Sequence, residues 1–234
     1  MTTAGVRRGA LRACALWACA LLTVACAGAP TGGVPAGGAP ATVAIPADTA
    51  GCDTGPGRTV GTAAELAGAL AAAGPGDTVR LADGRYPGAF TIGSQGTPDR
   101  PITLCGGRAA VLDGGPPDAG NTLHLRGAAH WRLVGFTLRG GRKGLMLDGS
   151  TGVLVEGLLI HEVGDEALHL RSHSSGNVVR GTTIRDTGLR RAQFGEGVYV
   201  GSVEDNWCRY TACAPDRSDG NRIEGNDISG TTAE

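Results

Sequence analysis

Three sets of reactive side chains recur at matched places along this sequence. Lys143, Glu166 and Glu196 each stand just before a short apolar run of the same pattern. His124, His169 and Tyr199 share one position inside those runs, and Arg126, Asp148 and Arg171 share the position two residues further on. A histidine, tyrosine or lysine can take a proton as a general base. Arginine matches a planar carboxylate through paired donors. Lys143, His169 and Arg171 are therefore the candidate catalytic residues, and His124, Arg126, Tyr199 and Trp207 the candidate ligand contacts. Asp165, Glu166 and Glu196 form a candidate Ca²⁺ site, although that ion takes about six to eight oxygens and this row supplies few. Against these readings, strand parity puts the row of Lys143, Glu166 and Glu196 on the inward side unless a corner turns it out.

What positions these residues is a repeat. LVGFTL (133–138), VEGLLI (155–160), VRGTTI (179–184) and IEGNDI (223–228) share an aliphatic residue, a Gly two later and an aliphatic residue three beyond. Their offsets are 22, 24 and 44 residues, the last read as about two coils. A second set, TLHLRG (122–127), GLMLDG (144–149), ALHLRS (167–172) and GVYVGS (197–202), recurs with offsets of 22, 23 and 30. The period-2 alternation of Leu123/Leu125, Leu145/Leu147, Leu168/Leu170 and Val198/Val200 puts the aliphatics on one face and His124, Met146, His169 and Tyr199 on the other. Two strands per repeat, always in the same order, predict stacked parallel coils with rungs roughly 4.8 Å apart. The expected fold is all-β: a right-handed parallel β-helix of five to seven coils. Gly, at 41 of 234 residues, supplies the tight corners. Asn177 and Asn221 fall at equivalent corners and are expected to form an asparagine ladder.

GTAAELAGALAAAG (61–74) has helical composition, with Thr62 and Glu65 placed as a capping box. It is expected to plug the open first coil, since a solenoid's terminal repeat must hide its core. At the other end the sequence stops just after an intact strand, so the domain of residues 58–234 is read as incomplete there.

Residues 1–27 read as an export leader: three arginines precede an uncharged run from Ala13 to Ala25, too short to span a bilayer. Ala25-Cys26-Ala27 fits a signal peptidase site, and Thr23-Val24-Ala25-Cys26 also fits a lipobox that would lipidate Cys26. Residues 28–57 are an Ala/Gly/Pro-rich linker. Four cysteines remain beyond the leader. Cys52–Cys105 with Cys208–Cys213 is the favoured one of three pairings in an oxidising compartment. A zinc site lacks the usual ligand spacing. The net charge of −1 and the absence of any basic block argue against a nucleic-acid partner.

PGDTVRLADGRYPGAFTIGSQGTPDRPITLCG (75–106) resembles the opening coils of secreted bacterial parallel β-helix proteins, including polysaccharide lyases of the pectate lyase and chondroitinase B type. GVLVEGLLIHEVGDEALHLRSHSSGN and GEGVYVGS look like later coils of the same superfamily. The resemblance covers about residues 58–234. From its leader the chain is expected to be extracellular, with no membrane contact beyond a lipid anchor, and it is expected to be a monomer. The resemblance implies a groove for an acidic polysaccharide and, in many members, β-elimination assisted by Ca²⁺. The paired aspartates with Gly-His-Gly of the galacturonan hydrolases are absent, as is the Arg-x-Pro-x-x-Arg of one pectate lyase class. The rival function is a non-catalytic surface protein that binds glycans. A hydrolase would need Glu166 and Glu196 to face outward as a carboxyl pair. The long stretch 192–221, with Tyr199, Trp207 and Tyr210, is expected to form a binding rim.

Overall fold

The computed structural model describes Cys52 and residues 57–233. The leader, Cys26 and almost all of the span read as linker lie outside them. Among the described residues, 18 strands of three to six residues form three parallel sheets, and the chain visits the three in turn on each coil. The first sheet has seven strands, from Arg58–Val60 to Arg222–Glu224. The second has six, from Gly84–Pro87 to Asp227–Ser229. The third has five: Phe90–Ile92, Asn121–Arg126, Lys143–Asp148, Leu168–Arg171 and Val198–Val200. The fold is a parallel β-solenoid of about five turns.

Two parts of the repeat reading are corrected. Each motif of the first set holds two strands, so a coil has three. In LVGFTL the strands Trp131–Val134 and Thr137–Arg139 meet at Gly135, whose φ of +83° only glycine adopts readily. A Cβ there would lie 2.5 Å from the Gly106 carbonyl oxygen of the rung beneath. The Gly135 N–H donates to Glu156 O of the next rung at 3.0 Å, so the corner itself is part of the stack. The second correction concerns the offset of 44 residues, which is one coil. Val179 pairs directly with Ile223, and the extra chain leaves as loops on both sides of Val198–Val200.

The alternating leucines do what their parity requires. Leu123, Leu125, Leu145, Leu147, Leu168 and Leu170 are fully buried and stack in register between rungs. Each such side chain stabilises the fold by roughly 1.5–3 kcal/mol relative to exposure. The helix Ala63–Ala72 buries Leu66, Ala69 and Leu70 against the first coils, as a cap does. Its capping box is complete: Thr62 Oγ1 accepts from Glu65 N–H, and Glu65 accepts from Thr62 N–H. The asparagine ladder forms as expected: Asn177 Nδ2 donates to Asn221 Oδ1 at 2.9 Å.

Both favoured disulfides are present, Cys52–Cys105 and Cys208–Cys213. Cys52, inside the span expected to be linker, is buried against Cys105 and Val134. The two bonds suit an oxidising, extracellular compartment.

Candidate active site

The outward face of the third sheet carries two rows set by its register. One runs Thr91, His124, Met146, His169, Tyr199. The other runs Arg126, Asp148, Arg171. A third row, Asn121 and Lys143 with Glu166 and Glu196 on the following rungs, lies at the entry to the strands. There the corner overrides parity and turns the side chains into a pocket of about 630 Å³. Loops on either side of Val198–Val200 wall the pocket, with Arg190 and Phe194 on one and Asn206, Arg209 and Tyr210 on the other.

Glu166 is the electrostatic centre. Its side chain is 6% exposed and forms an ion pair with Lys143 and another with His169 Nδ1, the latter at 3.3 Å. Burial disfavours its charge, but the close approach of His169 Nδ1 and the Lys143 charge overcome this and hold the carboxyl at about 2. The other ring nitrogen of His169 faces Gly201 O at 2.9 Å, and the ring packs on Tyr199 with centroids 4.5 Å apart. Burial, joined by the charges of Glu196 and Glu166, pushes the Tyr199 hydroxyl up, so it stays protonated.

Asp148 organises the second row. It accepts from Arg171 Nε at 2.6 Å and Nη2 at 3.2 Å, and it faces His124 Nε2 at 2.7 Å. Burial opposes its charge, yet the His124 and Arg171 hydrogen bonds hold its carboxyl well below the usual range. The guanidinium of Arg171 also lies 3.7 Å from the centroid of the Tyr210 ring. Asp216 seats the loop that carries Tyr210. Its carboxylate accepts from the Ser172 and His173 amides, both at 2.9 Å, and from Ser202 Oγ. Ser172 and His173 both have positive φ, a strained local geometry that these bonds offset.

The pocket thus brings together Lys143, Asp165, Glu166, His169, Arg171, Glu196 and Tyr199 from the sequence reading. It does not include Arg126, which is exposed further along the face, nor His124, which is tied to Asp148. Trp207 does not line the pocket, and its indole N–H donates to Ser202 O at 2.9 Å. Two of the three expected calcium ligands are committed elsewhere, Asp165 forked onto Arg190 and Glu166 paired with Lys143 and His169, which leaves Glu196 alone. Among the described residues no three acidic, His or Cys side chains gather as a cation site. This donor set does not fit Ca²⁺. Sequence reasoning missed Arg190 and the stacking role of Tyr210, because both lie in loops without a period. It also missed Asn121, whose place in the Lys143 row was visible in the repeat.

The geometry has counterparts among solved structures. An alginate lyase from Paenibacillus sp. str. FPU-7 superposes with a TM-score of 0.68 at 36% identity, over 74% of this chain and 57% of that one. The parallel β-solenoid is consistent with pectate lyase-like β-helix proteins. The pectate lyase Pel9A shares the fold alone, with a TM-score of 0.51 at 19% identity over 68% of this chain and 40% of its own. The β-helix described here therefore spans a little over half the length of the alginate lyase. No protein-family model matches it, and no curated protein matches it in sequence.

Proposed function

We propose that this chain cleaves a uronic-acid polysaccharide by β-elimination, with alginate as the first substrate to test. What supports this most is the meeting of Lys143, Arg171 and Tyr199 in one pocket on the outward sheet face. With Nε and Nη2 of Arg171 held by Asp148, the Nη1 side of its guanidinium is directed to a substrate carboxylate. That neutralises the carboxylate and makes the C5 proton acidic. The step requires Lys143 as a free amine, in which form it takes the C5 proton. The C5–H electron pair forms the C4=C5 double bond as the C4–O bond breaks, and Tyr199 donates its proton to the departing oxygen. Glu166 holds Lys143 in place. No step passes through Ca²⁺. We further read the chain as exported by its arginine-led leader, which is either cut at Ala25-Cys26-Ala27 or exchanged for a lipid tether at Cys26.

The test is ultraviolet absorbance of the unsaturated product on alginate, pectate and chondroitin sulfate, with and without chelator. A rise on alginate that survives the chelator and is lost in Lys143→Ala and Tyr199→Phe supports the reading. Binding of the polymer without product would assign the glycan-binding role instead.

A further inference from the structure

Two side-chain oxygens in the pocket have no partner in the protein. Glu196 Oε2 and Asn121 Oδ1 are both buried atoms without a hydrogen bond, at opposite ends of the row that contains Lys143 and Glu166. An ionised carboxylate oxygen only accepts, and so does an amide oxygen. Leaving such atoms buried and unpaired is costly, so ordered water, or a bound ligand that displaces it, brings donors to both places. A cation is a poor occupant at Glu196, because its acidic neighbours are spent on Lys143, His169 and Arg190. A sugar hydroxyl is a good one. It is neutral, donates one hydrogen, and sits on the ring beside the reacting carbons. Successive rungs are about 4.8 Å apart, so Asn121 and Glu196 stand about three rungs from each other, on different sugars of one chain.

Building on the lyase reading, we propose that Glu196 and Asn121 are specificity residues that accept free ring hydroxyls on either side of the scissile bond. The pocket therefore selects a uronan with unsubstituted hydroxyls. An acetyl ester there removes the donor and sets an acceptor against an acceptor, and a sulfate ester adds a negative charge facing Glu196.

The experiment compares one alginate preparation before and after chemical O-acetylation, matched in length. Both cleavage and calorimetric binding are measured for the wild type, Glu196→Ala and Asn121→Ala, each first checked for an unchanged melting curve. The wild type should prefer the free polymer by on the order of a hundredfold or more, as sites built around a substrate hydroxyl do. Each variant should lose at least tenfold in kcat/KM on the free polymer and discriminate by no more than about threefold. Chelator should leave the discrimination unchanged. Equal use of both polymers by the wild type, undiminished preference in both variants, or a preference abolished by chelator would each overturn the inference. Discrimination in binding with no product from either polymer would reject the lyase reading and leave this inference standing.

Discussion

Glu166→Gln is the perturbation whose size the structure fixes best. The Glu166 side chain is 6% exposed and its Lys143 partner 14%. The carboxyl is held at about 2 against an ordinary 4.5. At about 1.4 kcal/mol per unit, that depression corresponds to about 3 kcal/mol of stability. Breaking a buried ion pair from one side costs roughly 3–5 kcal/mol, which agrees. Each kcal/mol moves the melting temperature of a domain this size by about 2–4 °C. The variant should therefore melt about 6–12 °C below the wild type at neutral pH. Lys143→Met should lose a similar amount, and the double variant should recover most of it, since neither charge is then left alone. The pH dependence follows from the sign of the shift. A depressed carboxyl contributes its full stability above the unfolded value near 4.5 and loses it as pH falls towards the folded value near 2. The gap between wild type and Glu166→Gln should close across that window. Thermal melts followed by circular dichroism at several pH values measure all of this. A Glu166→Gln protein melting within about 2 °C of the wild type at neutral pH would refute the reasoning, as would a double variant no more stable than the single ones.

Three further outcomes are expected. The Asp216 carboxyl, whose burial is outweighed by the His173 and Ser172 amide bonds, is depressed below 3.8. The seat of the 201–220 loop should thus hold above that pH and loosen as pH falls through the folded value; Asp216→Ala should speed amide exchange at Ser172 and His173 on the order of tenfold even at neutral pH, and unchanged exchange would count against the seat. The Cys52–Cys105 bond closes a separation of 53 residues. Chain entropy assigns it about 4 kcal/mol, so reductant should lower the calorimetric melting temperature by about 8–16 °C, and a shift under about 2 °C would deny it that role. Tyr210→Ala removes the ring over Arg171 and should raise KM about 3- to 10-fold with kcat nearly unchanged, whereas Tyr210→Phe keeps the stack; equal loss in both variants would point to the hydroxyl instead.

The repeat was legible because the core is one-dimensional. Leu145 and Leu147 could be assigned to the inner face from alternation alone, and register then followed for His124, His169 and Tyr199. Thr62 with Glu65, and Asn177 with Asn221, were legible because each interaction has a local residue signature. Gly135 misled because strands of four and three residues on the two sides of a corner look, in sequence, like one longer strand. The committed state of Asp165 was hidden because its partner Arg190 lies 25 residues on, in a loop with no pattern. Trp207 was chosen for its type, and residue type does not say which way a loop side chain turns.

The two loops that leave the coil around Val198–Val200 have a consequence for how such a protein changes over time. Pairing between Val179 and Ile223 resumes in step despite all the chain expelled between them. Length can therefore be gained or lost at a corner without asking any leucine of the interior to move. Mutation can rewrite what the groove recognises at one rung while the neighbouring rungs inherit their structure unchanged. New specificities in a β-helix are thus reached by lengthening its margins, with the stacked interior kept as common ancestry.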